Sequence, residues 1–331
     1  MNRRTILKTV GGIAGAGTFG PSIVSAAEPW PREETQLWYT HTELLTELDH
    51  LNRHATVDLE PIGESIEGRE LVVATVGNGD TDVFIVTEQH GSEPHPTNAM
   101  LEELRHLSTA GGYASKVREE LTVHLLPMLN PDGAMRNQRE NVDGYDPNRH
   151  HDYEPGSDDN PSPEAQAMID YVTDIEPLWV ADLHIQGGPW PDEKDNPGDY
   201  ITSSNFWSSN PNVEPAVVDR AKQLNVAMWD RVEEFANAKL SVFPGGTGAN
   251  IARNAYGLRG YSTVLNELGA SHAYEGLNGQ FIRQCRKENQ VLLEETADGT
   301  AFDRDPDRVE EIPVRPDWDE MGDWPWEQRT A

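Results

Sequence analysis

The chain has a single cysteine, Cys285, so no disulfide can form within it. Lysine is almost as scarce, supplying six of the 26 basic residues, against 57 acidic ones and a net charge of −31. A balance this negative excludes nucleic acid and anionic membrane surfaces as partners, both of which need clustered cations. Long apolar runs are missing too. The longest, Val10 to Phe19, is rich in glycine and falls short of the roughly 20 residues a membrane span needs.

What stands around that run is an export signal. Asn2-Arg3-Arg4-Thr5-Ile6-Leu7-Lys8 is a basic start, and Val24-Ser25-Ala26-Ala27 offers small residues for cleavage. The Arg3-Arg4 pair marks the twin-arginine type, so residues 1–27 are expected to be removed and the protein secreted. No cysteine follows the apolar stretch, so no lipid anchor is expected. Without these residues, which hold three basic groups and no acidic one, 23 basic residues face 57 acidic and the charge becomes −34. The acids are scattered, as on a solvated surface. This balance resembles that of secreted proteins from salt-loving microbes, where salt screens self-repulsion. Cys285 lies in a helical pattern and reads as a small buried apolar side chain.

Along the rest of the chain, strand and helix patterns alternate. Thr40-His41-Thr42-Glu43 is a capping box for a helix with Leu44, Leu45, Leu48 and Leu51 on one face. Runs 56–62 and 71–76 read as a hairpin with Gly63 and Gly68 at its turn. A buried run at 82–86 precedes a helix at 97–107, and Leu121 to Leu129 is a further strand ended by Asn130-Pro131-Asp132-Gly133. Residues 134–161 form a long polar loop, a length that is usually functional or disordered. Ser162-Pro163-Glu164 starts the next helix, and Leu178 to Ile185 is a strand. Residues 213–237 read as helix, 241–255 as a Gly/Asn-rich loop, 261–268 as strand and 277–295 as the last helix. The alternation predicts a three-layer α/β/α domain with a central mixed, largely parallel sheet over residues 28–300. An acidic, Pro- and Trp-rich tail, 301–331, would be a strap over it or a loose end.

Chemistry concentrates where strands stop. His90 and Glu93, with two residues between them after the 82–86 run, can hold one Zn²⁺ from a strand-end loop. A lone His-x-x-Glu is common by chance; this one has company in order along the chain. Glu64-Ser65-Ile66-Glu67-Gly68-Arg69-Glu70 resembles the Gly-x-Ser-x-Glu-Gly-Arg signature of the zinc metallocarboxypeptidases (M14, the funnelins). His90-Gly91-Ser92-Glu93 is similar to their first zinc motif. Asn130-Pro131-Asp132-Gly133 with Arg139 and Asp146-Pro147-Asn148-Arg149 resembles their Asn-Pro-Asp-Gly…Arg…Asp-x-Asn-Arg. Asp182-Leu183-His184 looks like the stretch with the third ligand, and Leu265-Asn266-Glu267-Leu268 like the strand with the catalytic Glu.

That resemblance, over residues 40–295, implies one zinc ion per chain on His90, Glu93 and His184, with Asp146 orienting a ligand histidine. It implies Glu267 as general base and Arg139 as oxyanion stabiliser. Asn148 and Arg149 would hold the terminal carboxylate of a peptide or amide substrate. His95, His150, His151 and His272 match no ligand position and read as bystanders.

The chain departs from the family in its late loop. Ser241 stands four positions ahead of Gly245-Gly246, where animal members carry a mobile Tyr, so the phenol is absent unless Tyr256 or Tyr261 substitutes. The loop Gly248-Ala249-Asn250-Ile251-Ala252-Arg253-Asn254 resembles divergent microbial members. The expected activity is a secreted carboxypeptidase. The alternatives are a zinc amidohydrolase or deacylase acting on N-acyl amino acids, and a zinc-binding protein without catalysis.

Overall fold

The structure, a computed structural model of the chain, describes residues 39–54, 56–186, 190–191, 200–235, 238–243, 245–269 and 278–315. The expected leader, His272 and the tryptophans of the tail lie outside these residues.

Eight strands make one sheet: β1 (Val57–Glu64), β2 (Glu70–Gly77), β3 (Thr81–Thr87), β4 (Leu121–Leu126), β5 (Trp179–Ile185), β6 (Ser203–Phe206), β7 (Leu240–Val242) and β8 (Ser262–Leu268). Their order is β1-β2-β4-β3-β5-β8-β6-β7. The middle, β4-β3-β5-β8, is parallel, and antiparallel pairs flank it at β1-β2, β2-β4 and β8-β6. Mixed and parallel at its centre, the sheet is the one expected.

The central strands are buried on both faces, and their alternation divides the core. Val83 and Ile85 point to one side, beneath α1 (His41–His54), α2 (His95–Leu107), α3 (Gly112–Glu120), α5 (Pro215–Val232) and α7 (Asn278–Asp298). Phe84 and Val86 point to the other, beneath α4 (Pro163–Ile175) and α6 (Ala252–Leu258). Period-two alternation in a covered sheet produces this split. Cys285 of α7 is fully buried.

Local signals hold at atomic detail. The Thr40 backbone N–H donates to Glu43 Oε2 at 2.9 Å and the Glu43 N–H to Thr40 Oγ1 at 3.3 Å, completing the capping box. Ser162 Oγ accepts from the Ala165 N–H at the start of α4. Gly68 takes a φ of +76° in the β1–β2 turn, a conformation that favours glycine.

One expectation changes, and one left open is narrowed. Strands β6 and β7 and helices α3 and α6 were not foreseen, so the 241–255 stretch read as loop begins in a strand and ends in a helix. The described part of the tail is ordered: Val309 and Ile312 are buried, and Arg304 and Arg308 pair with Asp230 of α5. No helix among the described residues is long and apolar enough to cross a membrane.

Candidate active site

The candidate residues gather at the carboxyl ends of β3, β5 and β8, three neighbouring parallel strands, where open α/β sheets commonly bind ligands. His90 and Glu93 follow β3, His184 is the next-to-last residue of β5, and Glu267 is the next-to-last of β8. Gly91 lets this loop lie against the turn at residues 130–134, since a Cβ there would fall 2.0 Å from the Ala134 nitrogen. The turn is anchored from beneath. Asp132, fully buried, accepts from Ser65 Oγ, the Glu67 N–H and Arg69 Nη1. The Ser65–Arg69 motif therefore braces the segment that leads to Arg139.

Among the described residues, His90, Glu93 and His184 bring their ligand atoms within 4.8 Å of one another. His90 Nδ1 lies 2.8 Å from Glu93 Oε1, His184 Nδ1 lies 2.8 Å from Glu93 Oε2, and the two Nδ1 atoms are 3.0 Å apart. The far side of each ring is committed elsewhere. His90 Nε2 donates to Asp146 Oδ1 at 3.2 Å, and His184 Nε2 to Asp182 Oδ1 at 2.8 Å. With both Nε2 atoms protonated, the Nδ1 atoms present lone pairs to each other and to a carboxylate. Three buried acceptors in one place call for a cation. Burial would lower the His184 pKa, yet the charges of Asp182 and Glu93 raise it well above the ordinary value. Burial would raise Glu93, but the two histidines hold it well below the carboxylate range. Two imidazoles and one carboxylate are a zinc donor set, with bond lengths of about 2.0–2.2 Å.

Asp146 ties the His90–Glu93–His184 cluster to the arginines. Besides His90, it accepts from Arg139 Nε at 3.1 Å and Nη2 at 2.9 Å, and from the Asn148 N–H, with Arg149 Nη1 at 3.9 Å. Burial opposes its ionisation, but the His90 bond and the charges of His90, Arg139 and Arg149 hold it well below the carboxylate range. Arg139 also points Nη1 at His90 Nδ1 (3.2 Å), so its guanidinium overhangs the cluster. Arg149 is half exposed. Asn148 is buried: its Nδ2 lies 3.0 Å from His184 Nε2 and 3.4 Å from Asp182 Oδ2, and its Oδ1 accepts the Ala252 N–H that opens α6.

Glu267 shares its register position with His184 and, on its other side, with Ser204 of β6. Burial raises its pKa, Glu93 adds to that, and His184, His90 and Arg315 oppose it.

Four side chains that sequence reasoning passed over belong here. Asp182 holds His184. Gln89 donates to Asp182 Oδ1 at 2.6 Å, and His151 Nε2 donates to Gln89 Oε1 at 2.8 Å. His151 is thus a buried support rather than a bystander, its pKa pulled down to about 3 by burial. Its Nδ1 lies 3.1 Å from the Tyr256 hydroxyl, so that phenol is already taken up inside the core. Arg253 of α6 is the fourth, 4% exposed.

Known proteins give the same picture. The zinc carboxypeptidase family model matches residues 44–210, half of the chain. A probable carboxypeptidase 2 of Arthroderma benhamiae is 27% identical over 187 residues, which is 51% of this chain but only 34% of that protein's length. A metallo-carboxypeptidase of Burkholderia cenocepacia shares the fold at a TM-score of 0.63 with 18% identity, over 80% of this chain and 70% of that one. So does a Pseudomonas aeruginosa metallo-carboxypeptidase solved with (2-guanidinoethylmercapto)succinic acid, at 0.61 and 19%, over 80% and 73%. With the family model covering the strand-end loop of His90 and Glu93 through the end of β5, the chain belongs to the zinc carboxypeptidase family.

Proposed function

We propose that the protein is a zinc-dependent carboxypeptidase that hydrolyses the last peptide bond of a substrate with a free carboxylate. The observation that carries this is the convergence of His90, Glu93 and His184 with Glu267 one strand away in register.

His90 Nδ1, His184 Nδ1 and a Glu93 oxygen would hold one zinc ion, and Asp146 and Asp182 keep both rings turned toward it. When bound, zinc supplies a Lewis acid for the scissile carbonyl and lowers the pKa of water toward about 7. Glu267 serves as the base. Its raised pKa suits it to take a proton from the attacking water and return it to the leaving amine nitrogen. Arg139, braced by Asp146, donates to the oxygen that gains charge. Arg149 binds the terminal carboxylate. Asn148, whose Oδ1 accepts the Ala252 N–H of α6 and whose Nδ2 lies 3.4 Å from Asp182 Oδ2, stands next to it to share in that contact.

The test is a peptide ladder read by mass spectrometry with zinc-loaded protein. Stepwise loss of C-terminal residues, abolished by a chelator and restored by zinc, is expected. Internal fragments, or hydrolysis confined to N-acyl amino acids, would overturn the reading.

A further inference from the structure

Arg253 carries a charge that the described residues do not neutralise with an ion pair. Its side chain is 4% exposed, and no carboxylate among the described residues forms an ion pair with it. Its hydrogen bonds go to neutral acceptors: Nε to the Trp207 carbonyl at 3.2 Å, Nη2 to the Gly246 carbonyl at 2.6 Å and to Ser209 Oγ at 3.4 Å. The guanidinium lies over the Phe206 ring, 5.5 Å from its centroid. Gly245 allows the loop to close on it, for a Cβ there would fall 2.3 Å from Nη2. Nη1 donates to none of the described residues.

Stapling the 245–248 loop to the segment after β6 accounts for the hydrogen bonds, but neutral acceptors leave the charge itself without a counter-charge. An ionised group taken out of water without a counter-charge is costly, and here burial pulls the pKa down to about 10, with Asp182 and Glu267 opposing. The group is still charged at neutral pH. A residue kept at that cost next to a reaction centre is expected to meet its counter-charge on a ligand.

Its position says which part of the ligand. Phe206 pairs with Leu265, and Ser204 with Glu267. Residues two apart on a strand share a face and lie about 6.6–6.8 Å apart. The Phe206 ring and the guanidinium on it therefore flank Glu267 on the same face of the sheet, one step along the strand. Arg149, on the far side of Asn148, is already assigned to the α-carboxylate, and Asn148 Oδ1 ties that segment to the first turn of α6, which carries Arg253. A terminal residue bound between Glu267 and Arg149 would turn its side chain toward Arg253.

We propose that Arg253 determines specificity by pairing with the side-chain carboxylate of a C-terminal Asp or Glu, so that acidic residues are released in preference to their amides. This rests on the carboxypeptidase reading above. A charge-assisted pair in place of a neutral contact is expected to favour Glu over Gln about ten- to a hundredfold.

The experiment compares kcat/KM for matched peptides ending in Glu, Gln, Phe and Arg, with parent enzyme and Arg253→Gln, both assayed for zinc content. Glu should lead in the parent, and the Glu-to-Gln ratio should fall toward one in the variant. Calorimetric binding of free glutamate and glutamine to the parent holoenzyme keeps the inference testable if the variant fails to fold; glutamate should bind at least about tenfold more tightly. Release of Gln as fast as Glu by the parent would overturn the role of Arg253 while leaving the carboxypeptidase intact. An equal loss on all four peptides in Arg253→Gln would also overturn it, pointing to the α-carboxylate instead. Release of no residue from any peptide would sink the functional reading itself.

Discussion

Glu267 and His184 occupy the same register position of the paired strands β8 and β5. Side chains at one level of neighbouring strands leave the sheet on the same face, about 4.7–4.9 Å apart. The sheet itself thus sets the distance between Glu267, the proposed base, and His184, the proposed ligand, with no loop involved. Glu267→Gln preserves shape and removes basicity, so it should keep its zinc and lose about 10²–10⁴-fold in turnover. Near-parental turnover at full metal occupancy would assign the base elsewhere.

Asp182 offers a test that spares the ligands. It holds His184 Nε2 and is itself held by Gln89. Asp182→Asn should weaken zinc binding about 10- to 100-fold, the usual cost of a lost ring-orienting carboxylate. Competition against a chelator of known affinity measures it. Unchanged affinity would show that the strand alone orients the ring.

Much of this site was legible because its motifs are local. His90 and Glu93 stand three apart, and Asp146, Asn148 and Arg149 lie within four residues. What stayed hidden depends on contacts far apart in sequence: Gln89 meets Asp182 across 93 positions and His151 across 62. Strand β6 was missed for a related reason. Ser203-Ser204-Asn205 lacks apolar alternation because its buried side chains serve polar partners, Ser203 on Glu288 and Ser204 on Gln186 and Ser241. Helix α3 gives little signal because only Ala114 and Val117 of its nine residues are buried.

The Glu288 network gives stability a pH dependence. Glu288 is fully buried in α7 and accepts from Ser203 Oγ, Asn266 Nδ2 and Gln284 Nε2. Burial raises its pKa, and those hydrogen bonds only partly offset it. A carboxyl raised in the folded state supports folding at low pH, and that support is lost as pH climbs from the ordinary carboxyl range through the folded pKa. Glu288→Gln should therefore gain in Tm relative to the parent as pH rises across that window. Parallel curves of Tm against pH would contradict this.

Salt should act on the whole surface. With 57 acidic against 26 basic residues, the folded chain repels itself, and the Debye length falls from about 10 Å at 0.1 M to about 3 Å at 1 M. We propose that the protein suits a saline setting, with Tm rising from low to molar salt. A flat or falling Tm would reject this.

On the proposed reading, Arg149 makes the enzyme work from a chain end. It lies three residues after Asp146, half exposed, with Nη1 donating to the Asn148 carbonyl at 2.7 Å and standing 3.9 Å from Asp146 Oδ2. Neither contact uses the whole guanidinium fork, so donors remain for a substrate carboxylate. Amidating that carboxylate should cost about 1.5–3 kcal/mol, roughly 10- to 150-fold in kcat/KM. Arg149→Ala should show the same loss on free-acid peptides. The two changes together should not add, because each removes the same contact. Asn148 stays anchored in either enzyme, because its Oδ1 accepts the Ala252 N–H of α6. Arg139 is poorly placed to substitute, because Asp146 accepts from both its Nε and its Nη2. The measurement is kcat/KM for matched free and amidated peptides with both enzymes. Equal rates on the two peptides by the parent enzyme would mean that no chain end is recognised, and that the cleft cuts internal amides.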